Sequence, residues 1–293
     1  MMNFLKKLFG GASQPAPAQN APSPRSKLPP VSEAQFEEFV RWYEAQQRPA
    51  IALTPDPDLP IEPIGSRLLG PAFLREGEEW PCGRDGGTLD FLAQVNLEYC
   101  TALEGYPREG IVQFFIGRDE LFGADFDDLY DGNFLVRHLP ADTLGALHRA
   151  PHEGEYDTSG IDDYSPAQNH AMRLRGIALT AQPIIDRIDL SVLEAEQKWR
   201  ELVRNYDASA AFRRIDAIDA SRPQRHHIGG FPAFTQSDIR HDPRYAAHDR
   251  VLLRLTSGDY LMWGDVGECV FMIRPDDLAR GDFSRVAYSW DCC

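Results

Sequence analysis

Two adjacent histidines, His226 and His227, run into a Gly-Gly turn, with Gln236, Asp238, Arg240 and His241 close behind. Those residue types suit acid and base chemistry, with His227 as base, Asp238 as the group that orients it and Arg240 as holder of an anionic group. They equally suit a turn whose Asp and Gln side chains satisfy backbone donors, and this structural reading is the preferred one. Asp265, within Trp263-Gly-Asp-Val-Gly267, would bond the amides of its own turn, and Trp80-Pro81 forms another aromatic loop. Two tryptophans facing one cleft would stack on a planar or sugar ligand, although core or rim packing is the simpler expectation. No Gly-x-Ser-x-Gly, Walker loop, dinucleotide fingerprint or His-Glu-x-x-His helix occurs, so the usual signatures of nucleophile, phosphate and zinc chemistry are missing.

Elements must position these residues. Ser32 caps a stripe of Ala34, Phe36, Phe39, Val40 and Tyr43 at helical spacing, which Arg48-Pro49 stops. Thr54 to Pro63 carries four prolines and reads as extended loop rather than central strand. Short strands are expected at Leu89–Leu97, Ile111–Ile116, Arg250–Thr256, Glu268–Ile273 and Ser284–Trp290. Ser191 with Glu194 forms a capping box ahead of a helix whose stripe runs through Val192, Ala195, Trp199, Leu202, Val203 and Tyr206.

The chain has 293 residues, 43% of them hydrophobic, enough for a sizeable core, and a net charge of −15. No general positive field exists to hold nucleic acid. The cysteines at 82, 100, 269, 292 and 293 have no zinc-ligand spacing and read as reduced thiols, which places the protein in the cytoplasm. No metal and no cofactor are expected. Met1–Phe9 alternates apolar residues with Lys6 and Lys7 and would reach a membrane surface only weakly. Residues 1–30 form a basic, Pro/Ala-rich tail and tether, and the folded domain is placed at 31–293. Residues 119–163 hold twelve acidic groups against two arginines, but the nearest EF-hand register puts Leu129 and His138 where ligands are required. That segment reads as a solvated surface or a face for a basic partner.

Self-similarity is the most informative signal. Residues 110–126 align without a gap on residues 267–283, identical at seven of seventeen positions, among them Gly110/Gly267, Phe114/Phe271 and Asp125/Asp282. Upstream, Pro71-Ala-Phe73 recurs as Pro232-Ala-Phe234. An α+β, β-rich fold follows, with two similar sheet-forming halves (about 48–133 and 226–293) related by a pseudo-twofold, a helical insertion (about 134–225) between them, and a cleft near the axis for a ligand or partner.

The segments 63–81, 89–97 and 110–115, followed by His227-Ile-Gly-Gly-Phe-Pro232 with Gln236 and Asp238, Trp263–Gly267 and Asp282–Val286, resemble the YwqG-like family over about 48–293. Leu69 departs from its pattern, standing where the family has the first Gly of a Gly-Gly-Pro turn. The resemblance implies a bacterial, β-rich α+β domain without an assigned reaction, some members being linked to toxin and immunity gene clusters. The ligand-binding candidates are Trp80, Gln94, His227, Gln236, Asp238, Arg240, Trp263 and Asp265, with no catalytic residue assigned. A non-catalytic binding protein is expected, with a basic protein or a small molecule as partner. The alternative is an enzyme whose polar site lies at 226–241 and 265.

Overall fold

A computed structural model of the chain describes residues 28–145, 147–150, 164–221 and 225–293. Its strands are β1 (Gln47–Asp56), β2 (Arg67–Leu68), β3 (Ala72–Arg75), β4 (Asp90–Asn96), β5 (Ile111–Ile116), β6 (Phe134–Leu139), β7 (Leu147–Ala150), β8 (Ile177–Arg187), β9 (His226–Gly229), β10 (Arg250–Thr256), β11 (Glu268–Ile273) and β12 (Ala287–Asp291). Ten of them form one antiparallel sheet in the order β12-β11-β10-β9-β1-β8-β2-β4-β5-β6, and β3 with β7 forms a separate pair. The sheet is nearly closed. Phe134 of β6 lies 5.1 Å from Tyr288 of β12, and the segment after β5 spans the seam: the Tyr288 amide donates to Leu129 O (3.1 Å), its hydroxyl to Phe122 O (2.9 Å) and Trp290 Nε1 to Leu121 O (2.7 Å).

Alternation decides what each strand buries. Val112, Phe114 and Ile116 of β5 and Cys269, Phe271 and Ile273 of β11 face the shared interior. Phe115 faces outward under a cover of Ala72, Leu74 and Trp80, and Val270 and Met272 face outward under Phe234. Across the interior the Phe114 and Phe271 rings lie 4.9 Å apart.

Matching details recur on the two flanks of the sheet. Ala93 pairs with Phe114 beside a register shift, as Leu253 does with Phe271. Ser66 Oγ accepts the Asn96 amide (2.9 Å) where His226 Nδ1 accepts the Thr256 amide (3.1 Å). Leu97 N donates to Gly110 O as Ser257 N does to Gly267 O. At the centre, β1 and β8 pair along their whole length and carry the same tetrapeptide, Ile51-Ala-Leu-Thr54 and Ile177-Ala-Leu-Thr180. Each central strand then pairs onward, Ala52 with His227 and Ala178 with Arg67.

Three expectations need correction. Residues 134–225 are not a helical insertion throughout, because β6 and the central β8 lie within them; the helices are His170–Arg175, Leu193–Val203 and Ser209–Ala220. β1 is a central strand although its end enters the proline-rich stretch. Pro49 and Pro55 are tolerated although both pair with β8: Pro49 O accepts the Gly230 amide, so by alternation both prolines turn their nitrogens to the β9 side, where β9 pairs only with residues 50–53 and no ladder donor is lost. The capping box at Ser191 does not form either. Ser191 Oγ turns to Asp189 (2.6 Å), and the first helical amide, Leu193 N, is capped by Asp238 Oδ2 (2.8 Å) from a distant loop. Ser32, by contrast, caps Glu33–Ala45 in a box closed by Gln35. That helix packs Phe36, Phe39 and Tyr43 with Trp199 and Ile215 in a separate helical cluster.

Leu69 adopts φ +56°, a left-handed conformation that a glycine such as Gly229 reaches freely at +74°. Its side chain is buried in the main core. Leu69→Gly therefore relieves about 1 kcal/mol of strain and loses about 2–4 kcal/mol of packing. We expect a net loss of about 1–3 kcal/mol, measured by urea unfolding; a stabilised variant would show that strain outweighs packing at this site.

Candidate functional site

β9 carries the histidines, and its neighbours dictate their state. His226 Nδ1 accepts an amide proton from Thr256, so the ring is neutral there. His227 Nδ1 lies 3.0 Å from Gly229 O, which can only accept, so the proton sits on Nδ1 and the Nε2 lone pair is exposed to Arg254 Nη1 at 3.4 Å. Asp186 Oδ2 stands 3.9 Å from the same Nε2. Burial, with help from the Arg254 charge, pushes His226 down to about 4 and His227 down to about 3. Arg254 is itself gripped by Glu268 through Nε (3.0 Å) and Nη2 (3.2 Å), and burial raises the Glu268 carboxyl against the pull of that arginine. Ile184, Ile185, Arg187 and Arg225 complete a cleft of about 320 Å³ on this side.

Beyond His227, Gly229 and Gly230 both have positive φ (74° and 68°). A Cβ on Gly229 would meet the Leu103 side chain at 2.7 Å, and one on Gly230 would meet Asp186 Oδ2 at 2.6 Å, so two bare residues let separate parts of the chain close in. The two glycines form one wall of a second cleft, about 410 Å³, whose other walls are Arg48 and Pro49 of β1, the loop Ala102–Tyr106 and the pair Asp249-Arg250. Asp249 receives Arg48 at 2.9 Å and Arg250 at 2.6 Å, and the Arg48 guanidinium lies 4.4 Å above the Phe231 ring. Tyr106 donates to Val251 O (2.9 Å), and burial raises its phenol.

The remaining candidates are dispersed. Asp238 is 1% exposed; besides capping Leu193 it holds Arg240, which also reaches Glu194 with both terminal nitrogens at 3.1 Å. Those contacts occupy the carboxylate, and no hydrogen bond joins it to His227, so the proposed base and orienter are not brought together. Gln236 is exposed, binding Asp291 through its amide and Cys292 O through its side chain. Gln94 is fully buried, donating to Pro63 O and Gly65 O and accepting from Gln113. Trp80 packs outside the sheet against Phe115, its indole N–H on Leu89 O. Trp263 packs inside, near Phe122 and Trp290. The two tryptophans therefore share no cleft, because one loop folds over the outer face and the other into the interior. Asp265 is exposed in its turn beside Val266 at φ +59°.

Sequence reasoning missed Arg48, Asp249, Arg250, Arg254 and Glu268. A signal existed for the last two: an arginine inside the apolar run Val251–Leu255 and a glutamate opening β11 are opposite charges on strands that must pair. Among the described residues no group of three or more His, Cys, Asp or Glu is placed to hold a metal ion, and no helix is long and apolar enough to cross a membrane. The Met1–Phe9 segment lies outside the described residues, as does part of the acidic stretch.

No curated protein matches the chain. A family model does, over residues 66–292, from β2 to the end of β12, leaving the central strand β1 outside the match. That family is described as a domain of unknown function, DUF1963, and over this span the chain belongs to it.

Proposed function

We propose that this chain is a non-catalytic cytoplasmic binding protein of the YwqG-like kind, built as two intertwined halves about a pseudo-twofold axis, with the partner seated in the cleft between them. The strand order supports the halves, since four strands flank the β1-β8 pair on each side with the same internal order. The identical tetrapeptides in β1 and β8 support a second half that reaches back to about residue 177, rather than starting near 226. On this reading each half lends its first strand to the other, β1 to β9 and β8 to β2.

The observation that carries the binding role is the composition of the cleft beside Ala102–Tyr106: that loop comes from the first half, Gly229, Gly230, Asp249 and Arg250 from the second, and Arg48 from the exchanged strand. A site built by both halves is where a duplicated fold offers a concave surface. Against chemistry stand a histidine too acidic to act as a base near neutral pH and an Asp238 already saturated.

The net charge of −15 favours a basic protein partner, of the sort a toxin domain would present, because complementary fields speed encounter. Affinity capture with the full chain tests this. A basic partner should be retained at low salt and released as salt rises, and Glu104→Lys at the exposed cleft lip should weaken capture about tenfold. Absence of any salt-sensitive partner, or one indifferent to Glu104→Lys, refutes the reading.

A further inference from the structure

Alternation fixes where the backbone of β6 points. The Asn96 amide donates to Ser66 Oγ and Leu92 O accepts from Leu69 N, so the even positions of β4 turn toward β2. Ala93 and Val95 therefore turn toward β5, opposite Phe114 and Val112, which leaves Ile111, Gln113 and Phe115 to bond β6 at Leu139, Arg137 and Leu135. Phe134, Val136 and His138 point the other way. The Phe134 amide closes on Gly132 O (3.0 Å), but the backbone N–H and C=O groups of Val136 and His138 have no hydrogen-bond partner among the described residues. The other end of the sheet differs, since Leu129 O takes the Tyr288 amide at the edge of β12. A row of unpaired donors and acceptors on a strand with four apolar residues, Phe134-Leu-Val-Arg-His-Leu139, is a template for another strand.

A groove of about 490 Å³ follows this edge, bounded by β6 on one side and by Phe283, Ser284 and Val286 on another, with Arg84 and Tyr130 beside them. Phe134, Val136, Phe283 and Val286 belong to the main core, so the floor of the groove is apolar. Its charged lining is basic: Arg84 and Arg137, with His138, and no carboxylate among the described residues, in a chain of net charge −15. Asp131 and Glu78 hold the two arginines from outside the lining. Arg285 lies 4.9 Å over the Tyr130 ring and adds a third cation there, so the arginines outnumber these acids. We propose that β6 docks an extended segment of another protein, of alternating apolar and acidic residues, which adds as a strand along Val136 and His138. Cross-strand neighbours share a face. Residues beside Phe134, Val136 and His138 turn to the apolar floor, and those beside Leu135 and Arg137 turn outward to the arginines. This edge is separate from the cleft beside Ala102–Tyr106, and neither site depends on the other.

Amide exchange of the full chain, followed by NMR, tests the proposal. In the free protein the Val136 and His138 amides should exchange at least tenfold faster than those of Leu135, Arg137 and Leu139, which bond β5. The probe is a capped synthetic peptide, Val-Glu-Val-Glu-Val-Glu-Val, and at about 1 mM it should slow Val136 and His138 at least tenfold. Its lysine counterpart should need about ten times the concentration for the same effect. Because a strand pairs through one edge, methylating the valine amides and methylating the glutamate amides should differ, one abolishing the protection and the other leaving it. Unchanged exchange with the glutamate peptide overturns the proposal, as does equal protection by the lysine peptide or by both methylated forms. Slow Val136 and His138 amides in the free protein overturn it too: at every dilution they would mean that the chain covers its own edge, and only at high concentration that a second copy does.

Discussion

Phe271→Ala is expected to lower the unfolding free energy by about 3–5 kcal/mol. The side chain is fully buried, stacks on Tyr288 at 4.5 Å with planes only 7° apart, and touches Phe114 at 4.9 Å and Phe134 at 6.2 Å. Removing it leaves a void bounded by three aromatic rings from three other strands, none of which can collapse inward without breaking its ladder. Phe114→Ala, equally buried, should lose a similar amount. The discriminating quantity is the double variant, because a direct aromatic pair contributes about 0.5–1.5 kcal/mol beyond its burial, so the double should be less damaging than the sum by at least that margin. Urea unfolding of the four proteins gives the cycle. Strict additivity would mean that β5 and β11 stabilise separate cores, and the picture of two halves sharing one interior would be lost.

That contact bears on what a sequence can show. The aligned segments 110–126 and 267–283 were legible because each contains a turn glycine, two large residues of one strand face and an aspartate that caps a turn, all within a short window. The strand pair at the centre of the sheet was not legible. Ile51–Thr54 and Ile177–Thr180 are identical, but they lie far from the aligned windows and beside Pro49, Pro55 and Pro183, which argue against a strand until one sees which ladder positions are unpaired. With β8 hidden, residues 134–225 collapsed into an apparent helical insertion. The site divides the same way. Adjacent histidines and glycines announce themselves, whereas Arg48 and Asp249 meet only because β1 is laid against β9. Trp80 and Trp263 misled for a related reason: loop aromatics near a sheet have two faces to cover, and the chain uses one for each.

Acid should destabilise this protein with an onset set by histidine rather than by carboxylates alone. His226 and His227 are pushed down to about 4 and about 3 in the fold, while in the unfolded chain both titrate near 6.5. The unfolded state therefore takes up protons first as pH falls, and stability that is complete above about 6.5 drains away toward the folded values. At 1.36 kcal/mol per pH unit for each ring, the two together remove about 5 kcal/mol between pH 7 and pH 4.5. Glu268 works in the opposite sense, since its raised carboxyl favours the protonated fold and returns part of the loss. His226→Asn keeps an acceptor for the Thr256 amide and His227→Asn keeps a donor for Gly229 O, so the double variant preserves both bonds without the ionisation. Denaturant unfolding across this pH range should give a markedly flatter profile for the double variant than for the wild type. Parallel profiles would mean that the rings charge freely in the folded state, and His227 would then regain the proton affinity that a general base requires. The same titration thus decides whether this polar cluster is a packed strut beneath the cleft or a site for chemistry.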